Sequence, residues 1–310
     1  MKKKIMQLAG CLITLTMTVG LVRYMGYRLD PAWSKAGFDV IDAYHSLEDD
    51  TLDVIVYGSS HAWKGFDTRV LNDKYDISAY NYGCNWQAIN TTLLFLQDSL
   101  TTQSPKVICI DTFNVNSVEK DTNLDGQIYY SSGIPNSEYK LKYITTCFGK
   151  NPEGYASYLF PLIMFHDNWN IISSENYLEQ GFQRYVDSTG FCEGNNVYEG
   201  TIPDYKTFEQ YELSDDAIEV LDQIVDECKE RDIEVIFYTC LWEGAYNYGD
   251  AMTKYAKENG CDYLNLFENL DDTGIDGATD LQDEGHLNAS GAAKLADYMG
   301  RYISANYDLD

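Results

Sequence analysis

Basic residues and histidines are scarce in this chain. Its 310 positions hold only 22 Lys plus Arg and four histidines, against 49 Asp plus Glu. All 49 acidic residues lie beyond residue 28, with 17 basic ones, a net −32 over residues 29–310. Such a surface repels nucleic acid and anionic lipid surfaces, which excludes nucleic-acid binding as a function. No Cys-x-x-Cys pair occurs, and with so few histidines there is little from which to build a zinc site. One cysteine, Cys11, lies in the N-terminal apolar segment, and the seven elsewhere are an odd number, which argues against a fully paired disulfide framework. Cys109 and Cys240 sit in apolar strand-like runs, where a thiol acts as a small hydrophobe. Low-complexity tracts and internal repeats are absent too.

What the chain does have at its start is a long apolar run. Three lysines in Met1 to Lys4 precede Ile5 to Val22, 18 residues without a charge. As a helix that run spans roughly 27 Å, close to the hydrocarbon thickness of a bilayer. No small-x-small cleavage site follows it. The expectation is an uncleaved signal anchor over residues 1–28, with the lysines inside and the globular part outside. Two alternatives compete: a cleaved signal peptide, and a lipoprotein box at Leu8-Ala9-Gly10-Cys11 with lipidation of Cys11.

Residues 29–50 read as a helical linker. Beyond them, 51–310 is long enough for one well-buried core with room for an insertion. Strand-like runs occur at Asp53–Tyr57, Ile77–Tyr82, Lys106–Asp111, Ile233–Thr239 and Asp262–Leu266. Three of these are nearly continuous apolar stretches, as in strands buried on both faces. Helical periodicity falls between them, at Trp63–Lys74, Ala88–Gln97, Ser214–Arg231, Tyr246–Asn259 and Ala289–Ser304. The alternation predicts an α/β three-layer sandwich around a parallel sheet, flavodoxin-like in kind. It breaks between about residues 115 and 212, a stretch rich in Tyr, Asn, Gly and Ser, read as a cap inserted over the site.

Two short segments carry the chemistry. Gly58-Ser59-Ser60-His61 follows the apolar run Val54-Ile55-Val56-Tyr57, and Asp283-Glu284-Gly285-His286 precedes the last helical segment. A hydroxyl is a weak nucleophile. It needs an imidazole to take its proton and a carboxylate to orient that imidazole. Each segment follows a strand, and functional groups in such sheets collect at strand carboxyl ends. Ser60, His286 and Asp283 are therefore the candidate catalytic residues, and no metal or cofactor is called for.

On these residues the chain resembles the SGNH/GDSL hydrolase superfamily, over roughly residues 51–114 and 214–305. The family's Gly-Asp-Ser block reads Gly58-Ser59-Ser60 here, which puts the nucleophile at Ser60. Its Asp-x-x-His block falls on Asp283 and His286. The resemblance implies an oxyanion hole from the N–H groups of Ser60 and Gly83. Two departures stand out: Ser59 replaces the first-block aspartate, and the third block, usually Gly-x-Asn-Asp, has become Asp111-Thr112-Phe113-Asn114. Asn114 is the nearest substitute for that block's oxyanion donor, and Asn85 or a water is the alternative. The Gly-Ser-Ser turn with an N-terminal anchor also resembles the membrane-tethered branch that modifies envelope polymers, which includes lipoteichoic-acid D-alanylation and alginate acetylation proteins. That likeness implies acyl transfer from an ester donor to a glycan or polyol, downstream of a membrane acyltransferase as partner.

Each residue has a blander reading. Ser60 could only cap a helix, and Asn288 could cap the last one. His61 and Asn85 are candidates for substrate contact, or merely packed. His166 and Trp169, in the insertion, could line an acceptor site or be structural. The expectation is an extracytoplasmic serine-dependent O-acyl esterase or acyltransferase acting on a cell-envelope polymer. The competing class is a non-catalytic binding or assembly subunit of an envelope-modifying complex.

Overall fold

The computed structural model describes residues 2–29, 37–121, 127–170 and 185–309. Helix α1, Lys2–Leu29, is exposed along its apolar length. Helix α2, Asp39–Tyr44, is the helical part of residues 37–50; the rest of the expected linker helix is turn, or lies at 30–36, outside the described residues.

Five parallel strands follow: β1 Val54–Tyr57, β2 Ala79–Asn81, β3 Val107–Asp111, β4 Glu234–Thr239 and β5 Asp262–Asn265. Their order is β2-β1-β3-β4-β5. The sheet is in register from Val54 opposite Val107 to Tyr238 opposite Leu264. Every residue of β1 and β3 is buried, because both sheet faces are covered. Along β1 the side chains alternate between two cores. Ile55 and Tyr57 join α2, α5 (Ile89–Ser99), α9 (Asp215–Lys229) and α10 (Gly249–Asn259). Val54 and Val56 join α3 (Ser60–Gly65), α4 (Thr68–Tyr75) and α11 (Ala289–Asn306). This is the three-layer α/β arrangement that the alternation predicts.

Two expected helices are interrupted. The run Trp63–Lys74 splits at Phe66, which is extended, and Asp67 caps α4 by accepting from Arg69 N at 3.1 Å. The run Tyr246–Asn259 likewise starts late, at Gly249, after a separate short turn, Glu243–Tyr246.

The insertion contributes α6 (Glu138–Phe148), α7 (Pro152–Leu159) and α8 (Pro161–Phe165). Buried Tyr143, Ile144 and Phe148 of α6 extend the core that α5 closes, and α8 packs on the end of α1. The return segment bonds to the main body through Cys192 N to Trp63 O and Tyr198 N to Leu281 O. Its described part therefore flanks the sheet and braces the loop at 281.

Candidate active site

The crevice forms where β1 and β3 end side by side, at the point where strand order reverses. After Tyr57 the backbone turns through Gly58 at φ +142°. A Cβ there would lie 2.0 Å from Asp111 Oδ2, so the turn needs glycine on two counts. Gly58 N donates to Gln87 Oε1 at 2.8 Å. Ser59 is extended and caps α3, its oxygen accepting from His61 N at 3.2 Å. It also donates twice to Asp111 Oδ2, from N at 2.6 Å and from Oγ at 3.1 Å. Ser60 is thereby delivered as the first helical residue. Its N–H has no hydrogen-bond partner among the described residues.

The partner loop is fastened at both ends. Asp280 is fully buried and bonded to Lys294 Nζ, Ser290 Oγ and Asp276 N. Asn288 caps α11 through Ser290 N and Gly291 N while its amide donates to Thr279 O and Leu281 O. Between these anchors Gln282 N donates to His286 O at 2.8 Å, making a tight excursion with Asp283 to His286 at its tip. Gly285 packs so closely on Trp242 that an added Cβ would meet the indole at 2.7 Å.

These two pieces meet. Ser60 Oγ lies 2.8 Å from His286 Nε2, and His286 Nδ1 lies 2.9 Å and 3.1 Å from the two Asp283 oxygens. The imidazole therefore donates from Nδ1 to Asp283 and accepts at Nε2 from the hydroxyl. Burial pushes the Asp283 carboxyl up, but donors Gly285 N and His286, with the imidazole's charge, outweigh it and hold it below the usual range. The His286 side chain is 25% exposed and that of Asp283 49%, so solvent reaches the pair.

His61 lies behind His286, buried, with ring centroids 4.6 Å apart and planes 12° apart. Its other side meets Phe113 at 4.3 Å and, further off, Trp242 at 6.2 Å. Burial, with His286 adding, drives the His61 imidazole down to about 3. Burial drives Asp111 the other way, to about 6, against donors at Phe113, Ser59 and Ala62. Exposed Trp86 stands beside Phe113 at 6.4 Å, so an aromatic wall borders the cleft.

Several expected site residues are placed differently. Gly83 N donates to Asn81 Oδ1 at 3.1 Å, so it is not free to hold an oxyanion. The Asn114 amide is likewise spent, on Gln87 O at 3.2 Å. The Asn85 amide lies against Gly37. His166 bonds Ile163 O and pairs with Asp167, and exposed Trp169 follows Asn168, which donates to Leu29 O. Both thus sit at the end of α1, and among the described residues neither is hydrogen-bonded to Ser60 or His286. Asp111 is named in the sequence only as the start of the altered third block, with no role, and Trp242 is not singled out at all, although each ends or follows a strand on the crevice side.

A scan against family models finds no match, and no curated protein matches either. Solved structures similar to this chain include one described as an acylhydrolase from Bacteroides fragilis, at 10% identity and TM-score 0.41 over 88% of this chain and 96% of that one. A lipolytic protein of the G-D-S-L family from Desulfitobacterium hafniense gives 12% and 0.39, over 80% and 97%. Axe2, an acetylxylan esterase from Geobacillus stearothermophilus, gives 10% and 0.39, over 84% and 97%. At so little identity and such low TM-scores, activity has to be argued from this chain's own residues.

Proposed function

We propose that this chain is a serine-dependent O-acyl esterase or acyltransferase, tethered by α1 to the outer face of a cytoplasmic membrane and acting on acylated envelope glycans or polyols. The observation that supports it is the unbroken hydrogen-bond line from Ser60 Oγ through His286 to Asp283. In this reading Nε2 takes the hydroxyl proton as Oγ attacks the ester carbonyl. Asp283 keeps the proton on Nδ1 and stabilises the imidazolium that results. The free N–H of Ser60 is the donor nearest the developing oxyanion, and removing such a donor typically costs about 100-fold or more. His286 then returns its proton to the departing alcohol, and water or a glycan hydroxyl resolves the acyl-enzyme.

The half-exposed Asp283 and the aromatic wall suit an extended acceptor such as a sugar chain, whose C–H faces pack on rings. A membrane acyltransferase upstream would supply the acyl group in the transferase version. A fluorophosphonate probe tests the nucleophile: labelling is lost in Ser60→Ala and in His286→Ala and retained in Ser59→Ala. Folded wild-type protein that stays unlabelled would refute the assignment. Acetate release with no transfer to oligosaccharide acceptors leaves the esterase alone.

A further inference from the structure

Around the outer end of α1 the insertion presents side chains that a water-facing surface does not require. Phe160 is 61% exposed, Ile163 49% and Trp169 67%. Phe160 joins α7 to α8, Ile163 lies in α8, and Trp169 lies in the turn that follows it, His166–Asn170. This element is held against α1: Asn168 donates to Leu29 O, and Val22 and Gly26 of α1 share the wall of a cavity of about 550 Å³ with Leu159, Phe160, Leu162 and Phe165. The level along α1 is therefore set. Val22 closes the uncharged run, and Leu29 lies about 10 Å further along the helix, a distance comparable to a headgroup layer. Tyr24 and Met25, at the same level, are also exposed.

We infer that Phe160, Ile163 and Trp169 are a second membrane contact, seated in the interfacial layer of the same bilayer that α1 crosses. The inference rests on the reading of α1 as a membrane-spanning anchor. Two observations favour lipid over a protein partner. The patch is continuous with the apolar surface of α1, and aromatic rings with a polar edge concentrate at headgroup depth. A shallow aromatic insertion also needs no basic residues, which fits a body this acidic. Seated so, the α/β body is held by two elements and keeps one tilt over the bilayer instead of swinging on a single helix.

The test uses the full chain in phosphatidylcholine vesicles, with carbonate extraction and quenching by lipids brominated near the headgroup. The Trp169 signal is the difference between wild type and Trp169→Phe. That signal drops at least twofold in brominated vesicles, and the drop disappears in the double variant Phe160→Ser, Ile163→Ser. Protein that resists carbonate while Trp169 stays unquenched overturns the second contact and leaves the anchor standing. Protein that carbonate extracts overturns both. Acetyl-ester hydrolysis in the same vesicles reads the Ser60 assignment separately.

Discussion

The imidazole of His61 stacks on that of His286 with centroids 4.6 Å apart and an angle of 12° between planes. Only one of the two is bonded to a carboxylate. His286 has Asp283 on Nδ1, whereas His61 is buried and driven down to about 3. The inner ring therefore stays neutral through the physiological range and, under the proposed function, offers a π-face to the imidazolium that His286 becomes.

A neutral buried imidazole makes the fold acid-sensitive. With its folded value depressed, His61 binds fewer protons than in the unfolded chain. Stability is lost as pH falls from about 6.5 toward 3, at about 1.4 kcal/mol per pH unit. In His61→Gln that contribution vanishes, so the variant gains on wild type by this slope between pH 6 and 4. Urea midpoints measured across that range decide it. Parallel curves would show that His61 is not buried as described.

Asp111 gives the opposite sign. Its folded value is raised, so its contribution is fully present below the unfolded value of 3.8 and lost as pH rises through about 6. Asp111→Asn removes that loss and gains on wild type as pH climbs from 4 to 6. The amide accepts less well from Ser59 N and Oγ, so Ser60 shifts and kcat drops about 10- to 100-fold. Asp111 is a positioning residue. It acts through Ser59, so Ser59→Ala lowers kcat in the same direction, and an unchanged rate in both variants contradicts the role.

Gly58→Ala places a Cβ on the Asp111 carboxylate at a backbone angle reserved for glycine. The strain alone is worth roughly 1–3 kcal/mol. Denaturant midpoints fall accordingly. Pairing it with Asp111→Ala recovers part of the loss, because the clash is then relieved while the strain remains.

Asn288→Ala removes a helix cap and two bonds into the loop that carries Asp283 and His286 at once. The cap costs about 1–2 kcal/mol. Hydrogen exchange at the Gln282 and Asn288 amides quickens, and the ester hydrolysis of the proposed function falls with it, since Asp283 and His286 ride on the released segment. Equal protection in both proteins would show that the loop is held elsewhere.

The sheet was legible because its strands are nearly pure apolar runs, and strands buried on both faces leave no other pattern. Ser60, Asp283 and His286 were legible because local spacing and chain order carry them. The breaks at Phe66 and before Gly249 were not, since apolar periodicity continues through both and only the Asp67 cap, read in space, ends the first. The bonding of the expected donors at Gly83 and Asn114 was hidden for a similar reason. Asn81, two residues before Gly83, already takes its N–H, and Gln87 takes the Asn114 amide. Nothing local to Asp111 says that its carboxylate stands where it can steady Ser59, 52 residues earlier.

The hydroxyl and its base are separated by 226 positions along the chain. During synthesis Ser60 thus leaves the ribosome long before His286 exists, and the pair forms only once the loop at 280–288 has docked beside β1. Under the proposed function, a lesion that keeps that loop from docking silences a hydroxyl more than 200 positions away.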